Sequence, residues 1–513
     1  MAIYVFNLLV GYLPNGVDNA QGYRNQMLKS SSASIKYVFT ELPGRKYINR
    51  YRDSGIEIDQ MLSVHQYFSD NHTLKLTERV VDKLEELKNR LHYTDIIYRD
   101  TSIRLLRNDA VIAEILLEQD NRDFFYGILY FDEWKLIRSE NYTDGVVYTD
   151  YYVTVKSEDG INAKLARRTF YNRDGTVVYD QIFEGKKEWY LFPDGRICSK
   201  IQFIAEFVKR LQLTEQDIVL LDRSAQFDFV QPLFQFGYRA RFITVLHSGH
   251  YFEKYEDIDC LYMNYEYYYW FKYSKWIDTM VVSTQEQKKE LIEKLQEYKC
   301  SIPNVEVIPA GGIERQRYPE AMRKPYSLLS VSRLNPRKKI EWIIKSVIKA
   351  YQRNPSIMLD IYGVGEDDYL RKLQDIVSAN HAQSYITFLG QADVTEVYKN
   401  YEVFISASLW ETLGLSVMEA VGSGTALIGL DVKYGNGLFI HPGENGYLVD
   451  FDLSYVNGDD SKLIDDMAEK IVEIFANEGR LKVFHRNSYE ISKDFSTEII
   501  REKWKNLLFK EII

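Results

Sequence analysis

Cysteine is nearly missing from this chain: Cys198, Cys260 and Cys300 are the only three in 513 residues. Odd in number and far apart, they fit neither a disulfide framework nor a zinc site, and they suit a reducing cytoplasm. Proline is scarce too, at 11, and with 45% hydrophobic and 27% charged residues the composition is that of a packed globular chain without long disorder. Positive charge is not in excess. A net charge of −10 provides no broad basic field, which excludes nucleic acid as a main partner. No run of about 18 apolar residues exists, so no membrane-spanning helix is expected. The apolar start, Met1-Ala-Ile-Tyr-Val-Phe-Asn-Leu-Leu-Val10, is short and lacks the basic residues of a secretory signal. It reads as a buried parallel strand. The expected location is the cytoplasm, with peripheral attachment at the inner face of the membrane left open.

What is present is enough chain for roughly three folding units of about 150 residues each. The first strand ends near Asn7 and enters Gly11-Tyr-Leu-Pro-Asn-Gly-Val17, ahead of a helix expected from Asp18. Strand, glycine loop and helix N-terminus can cradle a phosphate, and they can equally be a tight turn. After a charged helical stretch from Leu76 to Leu91, short aromatic-rich runs alternate with turn sequences. These are Arg107-Asn-Asp, Asn121-Arg-Asp, Asn172-Arg-Asp-Gly and Pro193-Asp-Gly. Hairpin signals in series predict an antiparallel sheet. The βαβ rhythm returns with a helix near 200–212 and apolar runs at 218–222, 241–247, 280–283 and 305–309. Further strands are expected at 326–332, 358–363, 385–389, 403–406 and 426–430, separated by helix-length segments.

The fold class expected is therefore α/β, with two doubly wound Rossmann-like domains facing a cleft and an antiparallel sheet inserted in the first. The boundaries read as 1–40 with 200–314 for the first domain and 41–199 for the insertion. The second domain takes 315–495, and 496–513 form a helix returning to the first. Ligands of such sheets bind at the carboxyl ends of the strands.

Polar residues fall at those ends. Arg333 and Lys338 follow one strand, where two cations can neutralise a departing diphosphate, although a solvated basic loop is the plainer reading. Tyr362-Gly-Val-Gly365 and Gly390-Gln-Ala392 follow the next two; small residues there admit close approach, and the Gln391–Ala392 backbone can read a nucleobase edge. The densest cluster is Ser408-Leu-Trp-Glu-Thr-Leu-Gly-Leu-Ser-Val-Met-Glu-Ala420. Glu411 stands at the mouth, where it can grip sugar hydroxyls. Glu419 lies a turn inside a helix, where a carboxylate can hold ribose hydroxyls. Two Asp-x-Asp sequences, Asp257-Ile-Asp259 and Asp450-Phe-Asp452, do not follow a nucleotide-binding strand, so no metal is expected. The run Tyr262-Met-Asn-Tyr-Glu-Tyr-Tyr-Tyr-Trp270 reads as a core-facing helix.

The Glu411/Glu419 spacing, the Arg333-Leu-x-x-x-Lys338 loop, Asp431-Val-Lys-Tyr-Gly-Asn436 and Glu444-Asn-Gly-Tyr-Leu448 resemble glycosyltransferase family 4, which has a GT-B fold. Gly16-Val-Asp-Asn-Ala-Gln-Gly-Tyr-Arg24, Arg168-Thr-Phe-Tyr-Asn-Arg-Asp-Gly-Thr176 and His247-Ser-Gly-His-Tyr-Phe-Glu253 extend the resemblance to the catalytic subunits of accessory Sec O-glycosyltransferases, which modify serine-rich repeat adhesins. The resemblance runs nearly end to end and implies a retaining enzyme using a UDP-sugar, N-acetylglucosamine before glucose, without a cofactor. It implies that Gly16 and Val17 approach the diphosphate and that His247 bonds the transferred sugar. Arg333 and Lys338 would stabilise the leaving phosphate, and Gln391 with Ala392 would hold the uracil. Glu411, Thr412, Leu413, Gly414 and Leu415 would bind the sugar, and Glu419 the ribose. Relatives carry an aromatic before the Gly-Leu turn where this chain has Thr412-Leu413, so the sugar itself stays open. Implied partners are a serine-rich acceptor and a paired non-catalytic subunit or further copies of the chain. Alternatives are a teichoic acid glycosyltransferase, or an acceptor-binding subunit that has lost catalysis.

Overall fold

The computed structural model describes residues 1–7, 16–29, 33–157, 160–222, 227–237, 239–251 and 263–509. They fall into two compact units: Met1–Pro14, Ser32–Ile243 and Tyr268–Asp278 in one, and Asn15–Ser31, Thr244–Tyr267 and Thr279–Ile513 in the other.

In the first unit, β1 (Ala2–Asn7), β2 (Ser34–Phe39) and β3 (Met61–Ser63) pair in parallel in that order. Val5, Phe6, Val38 and Phe39 are buried, as expected of strands covered on both faces. Ten antiparallel strands follow: β4 (Asp95–Tyr98), β5 (Ser102–Arg107), β6 (Ala110–Leu117), β7 (Phe125–Asp132), β8 (Lys135–Thr143), β9 (Gly145–Ser157), β10 (Gly160–Tyr171), β11 (Val177–Glu184), β12 (Lys187–Leu191) and β13 (Ile197–Ser199). They form one sheet in chain order. Helix Val80–Leu91 covers part of it, with Leu87 in a cluster with Leu105, Ile115 and Ile128. The hairpin turns stand where they were read. Asn108 and Asp109 both take positive φ, 51° and 61°, the backbone of a two-residue primed turn. Glu133 and Trp134 make a second such turn, at 47° and 68°, with residues that do not announce it. Ser199 then caps helix Lys200–Leu211 in a reciprocal capping box with Gln202, and β14 (Ile218–Leu221) returns to pair with β1. The parallel strands were under-read: β2 and β3 went unrecognised, and β3 lies inside the span assigned to the insertion. Its three residues are too short to show any alternation.

The division between units falls within β15 (Arg241–Val245). In the second unit β16 (Thr279–Val282) and β17 (Asn304–Val307) pair in parallel. A second sheet contains β18 (Lys324–Val331), β19 (Met358–Tyr362), β20 (Ile386–Gly390), β21 (Tyr401–Ser406), β22 (Ala426–Leu430) and β23 (Gly446–Val449), all parallel. Its order, β20-β19-β18-β21-β22-β23, runs outward from β18 on one side and then from β21 on the other. Helix Ile340–Arg353 follows β18 and buries Ile340, Ile343, Ile344 and Val347, a helical stripe against that sheet. The sixth strand, β23, was not read; four residues opening on glycine carry little strand signal.

Helix Gly16–Leu28 begins two residues earlier than expected, so Gly16 and Val17 lie in its first turn. Residues 11–15 of the glycine loop lie outside the described residues, as do Cys260, Asp257 and Asp259. Helix Thr497–Phe509 packs on Gly16–Leu28, with the Arg24 guanidinium 5.2 Å from the centre of the Trp504 ring. In the tyrosine run, Tyr267 and Trp270 are buried, Tyr265 and Tyr268 are exposed, and Tyr262 is outside the described residues.

Candidate functional site

In a sheet of this order the loops leaving the two strands that flank the reversal diverge, and a crevice opens between them. Here those strands are β18 and β21, and the polar residues singled out above follow each of them. The loop after β18 is stitched to its neighbour: Ser332 N–H donates to the Tyr362 carbonyl at 3.1 Å and Leu334 N–H to that of Val364 at 2.9 Å. Two glycines make this possible. A Cβ on Gly363 would lie 1.8 Å from the Ser332 carbonyl oxygen, and one on Gly365 the same distance from that of Leu334. Gly363 N–H then donates to the Gly390 carbonyl at 2.8 Å, so the segment before Gln391 and Ala392 is fixed to the same edge. Gln391, Ala392 and Arg333 are exposed. Among the described residues no hydrogen bond or ion pair joins any of these three side chains to Glu411.

Lys338 is brought to Glu411. Asn335 caps the short turn Pro336–Lys338, and the Arg337 carbonyl accepts from Leu409 N–H at 3.0 Å, which docks the two loops. Lys338 Nζ then donates to Ser408 Oγ at 3.1 Å and to Glu411 Oε1 at 2.5 Å. The Glu411 side chain is only 13% exposed, so this charge-assisted contact works in reduced dielectric. Thr412 and Leu413 are buried beside it. Gly414 takes φ +79°, a left-handed residue that turns the chain into helix Leu415–Gly422.

Glu419 lies one turn into that helix and points to different partners. Tyr398 hydroxyl donates to its Oε2 at 2.9 Å and Tyr23 hydroxyl to its Oε1 at 3.1 Å. Burial raises its carboxyl above the usual range, opposed by these two hydroxyls and the Arg317 guanidinium. It lines a cavity of about 360 Å³ shared with Tyr23, Arg317, Thr395, Thr497 and Arg501. Tyr23 belongs to helix Gly16–Leu28, whose first residue, Gly16, is exposed while Val17 is half-buried.

His247 follows β15 by two residues and is half-buried. Its segment reaches the Glu411 loop: a Cβ on Gly249 would lie 2.7 Å from Trp410 Nε1. Ser248 N–H donates to the Tyr267 hydroxyl at 2.9 Å, which anchors the same turn. His250 is buried, and desolvation pushes its imidazole down to about 4. The loop Asp431–Asn436 also closes on the site. Tyr434 and Gly435 N–H both donate to the Glu411 carbonyl, at 3.2 and 2.7 Å. That contact, Trp410 and the tyrosines around Glu419 were not foreseen as site residues. Asp452, by contrast, caps the turn Leu453–Val456 by accepting from Ser454 N–H at 2.8 Å. Cys198 and Cys300 are free thiols.

Comparison with known proteins adds a second line. The family described as Glycosyl transferases group 1 matches residues 313–490, and the GtfA extended beta-sheet domain matches 98–194. The chain is 32% identical to the UDP-N-acetylglucosamine–peptide N-acetylglucosaminyltransferase GtfA subunit of Streptococcus gordonii, over 100% of this chain and 99% of that one. The crystal structure of the pneumococcal O-GlcNAc transferase GtfA in complex with UDP and GlcNAc superposes with a TM-score of 0.88 at 32% identity, over 99% of this chain and 98% of that one. The structure of a GtfA/B complex superposes at 0.87 with 30% identity, covering 99% of each chain. The fold class is α/β of the GT-B type, with parallel sheets and a separate antiparallel sheet. Matched end to end by these relatives, the chain belongs to the GtfA glycosyltransferase family.

Proposed function

We propose that the chain transfers N-acetylglucosamine, with retention of the α configuration, from UDP-N-acetylglucosamine to serine and threonine hydroxyls of a serine-rich repeat protein. The observation that carries this reading is the Lys338–Glu411 pair set between the loops of β18 and β21. The activity named for the relatives matched over the full length supports the donor and the acceptor. In this reading Gly16 and Val17 face the diphosphate, and Arg333 and Lys338 neutralise it as it leaves. Glu411 accepts hydroxyls of the sugar beside Thr412, Leu413, Gly414 and Leu415. His247 donates to the sugar near the reacting carbon, Glu419 holds the ribose, and Gln391 and Ala392 hold the uracil. The bond from the sugar's anomeric carbon to the diphosphate breaks and one to the acceptor oxygen forms on the same face. The acceptor proton passes to the departing phosphate.

The reaction is proposed to need no metal, since Arg333 and Lys338 supply the cationic charge; turnover unchanged by a chelator is the expected result. A paired subunit is proposed from the complex formed by the relative. No helix among the described residues is long and apolar enough to cross a membrane, and a cytoplasmic site of action, peripheral at the membrane, fits that reading. The retention of Arg333, Lys338, Glu411 and Glu419 favours an active chain over a subunit that only binds the acceptor. A panel of UDP-sugars, each offered with and without a serine-rich peptide, tests the whole reading. Turnover with UDP-N-acetylglucosamine above the other donors, giving an α-linked glycopeptide, is expected. Preference for UDP-glucose, or an inverted product, would reject it.

A further inference from the structure

Helix Gln285–Glu297 presents one carboxylate to both sugar-side segments. Thr284 caps it, accepting from Gln287 N–H at 3.1 Å, and Gln287 Nε2 donates to the Ser248 carbonyl at 3.1 Å. One turn further on, Glu290 accepts from three donors. Tyr251 hydroxyl and Lys433 Nζ reach its Oε1 at 2.7 and 2.8 Å, and Tyr434 hydroxyl bonds its Oε2. Burial alone would raise this carboxyl; the Lys433 ammonium and the two phenols overcome that and hold it below the usual range.

The three donors come from two places. Tyr251 lies four residues after His247. Lys433 and Tyr434 belong to the loop whose N–H groups at Tyr434 and Gly435 hold the Glu411 carbonyl. There is no slack in that contact. A Cβ on Gly435 would lie 2.4 Å from the Leu413 carbonyl oxygen and 3.0 Å from that of Glu411. The backbone from Glu411 to Leu413 must therefore follow this loop wherever it goes.

We infer that Glu290 is a positioning residue that ties the His247 segment to the Glu411 segment and so sets the spacing of the two grips on the donor sugar. The inference rests on the assignment of His247 and Glu411 to the sugar. Because Glu419 and the strand-end loops that would hold the nucleoside lie outside this tie, loosening it should harm the chemical step and spare nucleotide binding. A misplacement of about 1 Å at a reacting group can cost on the order of 100-fold in rate.

The test uses the purified full chain with UDP-N-acetylglucosamine and a serine-rich peptide, measuring kcat, KM, UDP affinity and melting temperature. Glu290→Ala is expected to lower kcat by about ten-fold or more while UDP affinity and melting temperature stay close to the parent. Glu290→Gln, which keeps an acceptor oxygen, should recover part of the rate. Tyr434→Phe removes one hydroxyl and should give a smaller loss of the same kind; it carries the test alone if Glu290→Ala does not fold. Combining Glu290→Ala with Glu411→Gln should cost no more than Glu411→Gln alone, because one acts through the other. The inference fails if kcat is unchanged in both Glu290→Ala and Tyr434→Phe. It fails equally if UDP affinity falls in step with kcat, or if the two losses multiply. Parental turnover in Glu411→Gln would instead remove the sugar-site assignment, and the inference with it.

Discussion

Glu411 and Glu419 leave the same strand–turn–helix segment, yet their surroundings differ in kind. Glu411 meets a cation, Lys338, and its backbone is held by a second loop. Glu419 meets two phenols on the lining of a cavity, and its carboxyl is raised by burial. The first setting pairs a carboxylate with a cation, beside the diphosphate in the proposed reading. The second holds a carboxylate between two neutral hydroxyl donors. In the proposed reading, eight positions of sequence separate the part of the site that serves chemistry from the part that serves recognition.

Breaking the first half should have the largest effect. Glu411→Gln or Lys338→Ala is expected to lower sugar transfer about 100-fold or more, measured as turnover with labelled donor, while the chain stays folded by circular dichroism. Retained turnover in either variant would dissolve the distinction. Glu419→Gln should be milder and of another type, weakening UDP binding by about ten-fold through the loss of a charged acceptor.

The same variant sharpens the comparison through stability. A carboxyl raised in the folded state binds its proton more readily there than when unfolded. It therefore lowers stability as pH rises from its ordinary value through its raised one. Glu419→Gln lacks this term, so its melting temperature should decline less than the parent's over that window. A parallel decline in both proteins would mean that Glu419 is not the strained group. The smallest effect is expected from Tyr398→Phe. Removing one buried donor costs Glu419 a bond of about 1–3 kcal/mol in gross terms, and UDP affinity should weaken by several-fold with kcat nearly unchanged.

The regions also differ in how far the sequence disclosed them. Strands β18 to β22 are apolar runs separated by helix-length segments, so their existence and their parallel pairing are legible in the sequence, and with them the strand ends that Arg333, Lys338 and Glu411 follow; the order of the strands is not. Asn108-Asp109 announced its turn because those residues tolerate positive φ; Glu133-Trp134 makes the same turn unannounced. The tertiary partners were not legible. Glu290 is one of four glutamates on a charged helix, and nothing local marks it as the one that meets Lys433 and Tyr434. Tyr23 and Tyr398 lie 375 positions apart, and only the fold brings both to Glu419. The Asp431–Asn436 motif has no role legible in the sequence, because its hold on Glu411 is by backbone N–H groups that any residue but proline carries, and the Glu290 partner of Lys433 and Tyr434 is brought there only by the fold.

The division of labour is tested most directly by titrating UDP into Glu411→Gln and Glu419→Gln side by side with the parent chain. The account predicts parental affinity in Glu411→Gln and an affinity weakened about ten-fold in Glu419→Gln. Equal weakening in the two, or weakening in Glu411→Gln alone, would contradict it.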